Sequence, residues 1–121
     1  VTADWQGKNN TRVVLEYCNA NGESCPAFEY VNSYKTEGTI AGDWYLPAMG
    51  ELNAIYGNKD VLNITLGKIG GTKLGTDYYW SSSEYSYSDA WVLRFSDGVV
   101  GSDTKNQNYY SKNFVRPVLA F

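Results

Sequence analysis

Apolar positions in the first part of the chain recur at three- and four-residue intervals, the spacing that lines one face of a helix. Val14, Tyr17 and Cys18 follow Thr11; Ala27, Val31 and Tyr34 follow Pro26; Met49, Leu52, Ile55 and Tyr56 follow Pro47. Each run opens on a capping residue or an early proline and closes near Gly or Asn, which predicts short amphipathic helices. A further helix is predicted over Asn58 to Ile69, with Val61, Leu62, Leu66 and Ile69 apolar. Gly67 weakens it, Gly70 and Gly71 stop it, and Gly57 reads as the stop of the helix before.

Near position 70 the composition shifts, and from Asp77 onward short β-type segments rich in Tyr, Ser, Asp and Asn take over. Trp91, Leu93 and Phe95 alternate with Val92, Arg94 and Ser96, a period of two that predicts a strand with one face in the core. Asp97-Gly98 is a hairpin signal, read as a two-residue type I′ turn. That turn sets Ser96 opposite Val99, Phe95 opposite Val100, Arg94 opposite Gly101 and Val92 opposite Asp103. Phe95 and Val100 then point inward, and Val92, Arg94, Ser96, Val99, Gly101 and Asp103 share the outer face. Val115 to Phe121 reads as a closing strand. The expected architecture is α+β, helices first and a curled antiparallel sheet last.

With 121 residues the chain is sized for one domain and one modest core. It has no histidine, which excludes Ser-His-Asp and Cys-His catalysis and His-ligated zinc. A net charge of −3 with scattered Lys and Arg offers no footprint for a phosphate backbone, so nucleic acid is not expected as a partner. No apolar stretch approaches the roughly 20 residues that cross a bilayer, so membrane attachment would need an anchor outside these residues. The chain starts at Val1 with no charged-then-apolar leader, and reads as a mature form or an excised domain. Cys18 and Cys25 flank a run of turn formers that lets them meet in a local disulfide; as free buried cysteines they would be equally ordinary. Two cysteines are too few to hold a metal.

The serines of Tyr78-Tyr79-Trp80-Ser81-Ser82-Ser83 lack both the glycines of a nucleophile elbow and a base, and read as a strand whose serines bond locally. Asp89 with Asp97, or Asp97 with Asp103, would suit paired-carboxylate chemistry, but at turns and outer positions they read as solvated acids. Asn9 and Asn63 head Asn-x-Thr triplets, a pattern common by chance. Arg116, in an apolar strand, needs partners, and a structural ion pair or a carbonyl clamp is its expected role. The segment from Tyr85 to Asn113 differs: Tyr85, Ser86, Tyr87, Ser88 and Asp89, the outer hairpin set, then Asn106, Asn108, Tyr109, Tyr110, Ser111 and Asn113. This is the composition of antibody recognition loops, where Tyr gives rigid contact area and Ser, Asn and Gly adapt their hydrogen bonds; the same residues are also ordinary loop formers.

Gly42-Asp43-Trp44-Tyr45-Leu46-Pro47-Ala48-Met49-Gly50-Glu51-Leu52 resembles the G-W-x-L-P-x-x-x-E-L signature of bacterial domains with a C-type-lectin-like fold, a group that includes relatives of the formylglycine-generating enzyme. Tyr79-Trp80-Ser81-Ser82-Ser83-Glu84, Ala90-Trp91, Phe95, Gly98 and Val115-Arg116-Pro117-Val118-Leu119-Ala120-Phe121 fit the same pattern in the same order. Within that group the chain is most similar to variable proteins of diversity-generating retroelements of gut Bacteroides-like bacteria and their phages. There a reverse transcriptase errs at template adenines and turns AAC codons into others ending in C. Tyr, Ser, Asp, Asn, Gly, Val and Arg are reachable; Trp, Met, Lys, Gln and Glu are not.

The resemblance implies a single domain over residues 1–121, the C-terminal part of a longer surface protein on a bacterium or phage particle. It implies a non-enzymatic scaffold, stiffened by Trp44, Trp80, Trp91, Phe95 and the closing strand, that displays a diversified face to a protein or glycan ligand on another cell or phage. Both cysteines lie early, unlike the late catalytic pair of the formylglycine-generating enzyme. Glu-Pro-Asn, Gln-Pro-Asp and Trp-Asn-Asp, which mark calcium-dependent sugar binding, are missing, so no cofactor or metal is expected. The alternative is a fixed structural or adhesive module of a surface appendage or lipoprotein, its Tyr-rich face packed on a neighbour.

Overall fold

The computed structural model describes residues 1–105 and 113–119. Its elements are α1 (Gly7–Asn21), α2 (Pro26–Ser33), β1 (Trp44–Tyr45), α3 (Met49–Gly57), α4 (Lys59–Lys68), β2 (Tyr78–Glu84), β3 (Asp89–Arg94), β4 (Val100–Thr104) and β5 (Val118–Leu119). The fold is α+β, with a sheet ordered β2-β3-β4 and a second pair, β1 and β5, both antiparallel. Not every strand follows the helices: Trp44 pairs with Leu119 and Tyr45 with Val118, so the signature block holds the end of the chain. The closing strand is shorter than expected, and Ala120 and Phe121 lie outside the described residues.

The four helices form where their periodicity placed them, with changes at their boundaries: α3 runs through Gly57 to its cap at Asn58, and α4 is one residue shorter than expected at each end. α1 starts at Gly7, so Thr11 sits inside it and does not cap it. Its buried hydroxyl donates to Gly7 O (2.8 Å) and accepts from Leu46 N–H (3.1 Å), joining α1 to the signature block. α2 ends at Ser33, and Tyr34 turns out of it to meet Trp44 edge-on at 5.1 Å. Cys18 and Cys25 are bonded, which ties α1 to the residue preceding α2.

Both faces of the β2-β3 ribbon are covered, because successive strand residues point to opposite sides. Trp80, Ala90 and Val92 pack with Cys18, Phe28, Val31 and Leu46 from the α1 and α2 side. Tyr79, Leu93 and Phe95 pack with Met49, Leu52 and Leu74 on the other. This overturns two expectations: Val92, assigned to the outer face, is 4% exposed, and Val100, assigned inward, is 42% exposed. Trp80 and Phe95 are core residues as expected, whereas Trp44 and Trp91 are half-buried.

The hairpin register is corrected as well. Leu93 faces Val100, Val92 faces Gly101 and Ala90 faces Asp103, two positions away from the expected pairing. The loop runs over four residues, 95–98, closed by Gly98 N–H to Arg94 O (2.8 Å) and Arg94 N–H to Val99 O (2.8 Å). A type I′ turn needs positive φ at both central residues; here Gly98 has φ of 79° and no non-glycine among the described residues is positive. Asp97 instead accepts from Arg94 and from Val99 N–H, which stabilises the longer loop.

The serines of β2 bond locally in part, Ser81 accepting from Ser83 N–H (3.2 Å), but also reach far along the chain. Ser81 donates to Trp91 O (2.7 Å); Ser83 donates to Asp4 (2.7 Å) and accepts from Met49 N–H (2.8 Å). Only the Ser82 hydroxyl is buried without a partner among the described side chains. Arg116 is a carbonyl clamp, donating to Thr72 O at 2.8 Å.

Glu51 explains the polar end of the signature. One carboxylate oxygen accepts from Gly7 N–H (2.9 Å) and Ala48 N–H (3.1 Å), and the other from the Tyr45 hydroxyl (2.8 Å). A single carboxylate thus meets unpaired donors at the N-termini of both α1 and α3, where negative charge also favours the helix dipoles. Gly7 is confined to glycine by this closeness, since a Cβ there would strike the Glu51 carboxylate, the Tyr45 ring and Ala48 N. Burial, then the Glu51 hydrogen bond and charge, push the Tyr45 hydroxyl up to about 12. At Asp4 burial raises the carboxyl, but hydrogen bonds from Ser83, Gln6 N–H and Asn10 outweigh it and hold it below its usual range.

Candidate functional site

Most of the described residues among those expected to form one recognition face lie toward the two ends of β3. Six strand residues rise about 3.3 Å each, so the ends are separated by about 17 Å. At the first end lie Tyr85, Ser86, Tyr87, Ser88 and Asp89, with Asp103 opposite Ala90 on the neighbouring strand and Asn113 donating to Asp103 at 2.9 Å. At the second lie Arg94, Ser96 and Val99. Gly101 sits between them against the Val92 and Tyr78 side chains, and Val92 itself is in the core. Asn106, Asn108, Tyr109, Tyr110 and Ser111 lie outside the described residues.

The second end is internally neutralised. Arg94 grips Asp97 through two bonds of 2.9 and 2.6 Å and lies 5.5 Å from the centre of the Tyr78 ring. The Arg94 hydrogen bond holds the Asp97 carboxyl down at about 2. Neither acidic pair considered from the sequence is formed: Asp97 bonds Arg94, Asp89 accepts from Ser88 and Asp103 from Asn113. Among the described residues no group of three or more acidic or cysteine side chains is placed to hold a metal ion.

The first end is built to hold a turn still. Tyr85 and Ser86 N–H both donate to Asp89 O, and Asp89 N–H returns to Ser86 O. Lys105 closes the assembly from β4's end. It is only 7% exposed, and its ammonium donates to Glu84 (2.8 Å), Ser86 O (3.2 Å) and Tyr87 O (3.2 Å), while its N–H donates to Ser88 O (2.9 Å). An ammonium has three donors, and all are used inside the turn. The tyrosines stand clear: Tyr87 is 83% exposed, and Tyr85 is 54% exposed with its ring edge-on to Trp91 at 4.7 Å.

Beside this turn is a cleft of about 310 Å³, bounded by Val13, Val14 and Tyr17 of α1, the Cys18–Cys25 disulfide, Glu23, Glu84, Tyr87, Ser88, Thr104 and Lys105. Sequence reasoning placed Glu84 in the framework, where it holds Lys105, but missed Lys105 and the α1 wall. The available signal was a lysine directly after the strand, within a stretch otherwise of small polar residues and tyrosines.

Among the described residues no helix is long and apolar enough to cross a membrane. No curated protein and no solved structure matches the chain. The sequence profile of the Lcl C-terminal domain matches residues 2–118, which takes in every element from α1 to β4 and the first residue of β5. On that extent of match, the chain belongs to the Lcl C-terminal domain family.

Proposed function

We propose that this domain is a non-enzymatic, calcium-independent recognition module that binds a protein or glycan ligand at the Tyr85–Asp89 end of its sheet. The observation that carries this reading is the pairing of two exposed tyrosines with a turn held by the buried Lys105. Rigid presentation of aromatic side chains lowers the entropy lost on binding, which is how tyrosine-rich paratopes work. Membership of a family associated with variable and lectin-like domains supports a surface adhesion role. The disulfide supports an extracytoplasmic setting, where such bonds persist.

The finer reading is a variable protein of a diversity-generating retroelement, with the formylglycine-generating-enzyme-like scaffold kept and the display changed. Glu84, Trp91 and Lys105, which fix the turn, are residues that adenine-directed mutation of AAC does not produce, whereas Tyr85, Ser86, Tyr87, Ser88 and Asp89 all are. Sequencing this gene and any nearby imperfect repeat across its source population tests this. Changes confined to C-ending codons at 85–89, opposite adenines in the repeat, are expected; uniform low variation with no repeat would contradict diversification.

Binding itself is tested by screening the immobilised domain against glycan and surface-protein arrays. Signals are expected to vanish in the Tyr85→Ala, Tyr87→Ala double variant while its unfolding midpoint stays close to the parent's. Signals unchanged in that folded variant would overturn the site.

One feature favours the second reading, a structural module packed on a neighbour. α4 contributes no buried side chain and leaves Val61 and Ile64 exposed, with Ile69 exposed just beyond its end.

A further inference from the structure

The cleft beside the Tyr85–Ser88 turn has a chemistry that its sequence neighbours do not reveal. Its walls are apolar where α1 and the disulfide form them, and its ring-bearing sides are Tyr17 and Tyr87, both exposed. Its charges are Glu23, Glu84 and Lys105. Lys105 is buried with every ammonium donor committed to Glu84, Ser86 O and Tyr87 O, so it has none left for an incoming anion. Its positive charge offsets Glu84, and Glu23 has no side-chain ion pair or hydrogen bond among the described residues. Among the described residues, the cleft therefore carries an uncompensated negative charge beside two aromatic faces and an aliphatic wall.

We propose that this cleft is an arginine subsite: it receives an arginine side chain projecting from a protein ligand. The three methylenes of arginine cover Val13 and the disulfide, as long cationic stems do on apolar surface. The guanidinium stacks on the Tyr17 or Tyr87 ring and donates to Glu23, with the free oxygen of Glu84 within the same cleft. A carboxylate ligand would meet two glutamates and no free donor from Lys105. The subsite rests on the recognition role proposed above and assigns it a ligand chemistry, a basic protein surface rather than an acidic one.

The test uses acetyl-arginine amide as probe, with the neutral isostere acetyl-citrulline amide as control, titrated into the isotopically labelled domain and followed by NMR. Saturable shifts are expected at Val13, Tyr17, Glu23, Tyr87 and Ser88, with citrulline binding at least ten-fold weaker. Glu23→Gln should weaken arginine binding about five-fold without moving the unfolding midpoint, because the Glu23 side chain makes no bond among the described residues, and its N–H, which donates to Cys18 O, is kept. Equal binding of both probes, shifts mapping elsewhere, or no saturable shift overturns the subsite. Array ligands that are lost with the tyrosines but untouched by Glu23→Gln also overturn it, while leaving the recognition role standing. Arginine binding in the cleft with silent arrays would support the subsite and contradict that role.

Discussion

The N-terminal ends of α1 and α3 and the turn between β2 and β3 are both dense in hydrogen bonds, but they use them in opposite ways. At the helix ends, one side chain, Glu51, accepts from the N–H groups of Gly7 and Ala48, and the Ser83 hydroxyl and the Asp4 carbonyl accept from the next N–H groups of α3, those of Met49 and Gly50. Polar side chains there face inward and join distant segments. At the turn the main chain and the hidden Lys105 do the joining, and the side chains of Tyr85 and Tyr87 are left to solvent. Interior bonding and exposed aromatic surface thus fall to different residues, so the exposed side chains can change with little effect on stability.

The largest test of this division is Glu51→Ala. It strands Gly7 N–H, Ala48 N–H and the Tyr45 hydroxyl together, at about 1 kcal/mol or more for each unsatisfied donor, so a loss of about 3 kcal/mol is expected in urea unfolding. Glu51→Gln keeps an acceptor and should lose about half as much. A cost under about 1 kcal/mol for Glu51→Ala would mean that water replaces the carboxylate, and the scaffold side of the comparison fails.

Lys105→Met comes next. It keeps the stem in place but releases Glu84 and two carbonyls, for an expected cost of about 1–2 kcal/mol. The readout that separates holding the turn from general stability is hydrogen exchange. Protection should fall at Tyr85, Ser86 and Asp89 N–H and stay unchanged at the N-termini of α1 and α3. Loss of protection spread evenly over the molecule would contradict a local role.

A smaller effect follows from Tyr45. Its folded-state pKa, about 12, lies above the unfolded value near 10. The stability this contributes is therefore complete below about pH 10 and is lost as pH rises toward 12. Tyr45→Phe should flatten that alkaline decline in a pH series of unfolding midpoints, and an unchanged slope would detach Tyr45 from Glu51.

Much of this organisation was legible in the chain. Pro26 and Pro47 marked helix starts, and Gly70-Gly71 a stop, because these residues act through local backbone geometry. The strand faces were not legible from alternation. With α1 and α2 on one side of β3 and α3 on the other, Val92 is as buried as Leu93, and a period-two reading assigns one of them wrongly to solvent. The register slipped because Asp97-Gly98 suits both a two-residue turn and the end of a four-residue loop, and Asp97's bonds to Arg94 and Val99 N–H favour the second. Only the outer hairpin set rested on that register; its members lie along β3, β4 and the residues joining them, with Val92 turned into the core. Arg116 was legible because a guanidinium among apolar neighbours needs an acceptor, and Thr72 O supplies it, although Arg116 itself precedes β5. Lys105 was not, because nothing local tells a buried lysine from an exposed one.

The most direct test of the division between scaffold and display is a substitution scan of the displayed domain, read by resistance to protease. Nearly every residue is expected to be accepted at 85, 86, 87 and 88, and almost none at Glu51, Trp80 and Lys105. Intolerance at 85–88 equal to that at Glu51 would contradict the division.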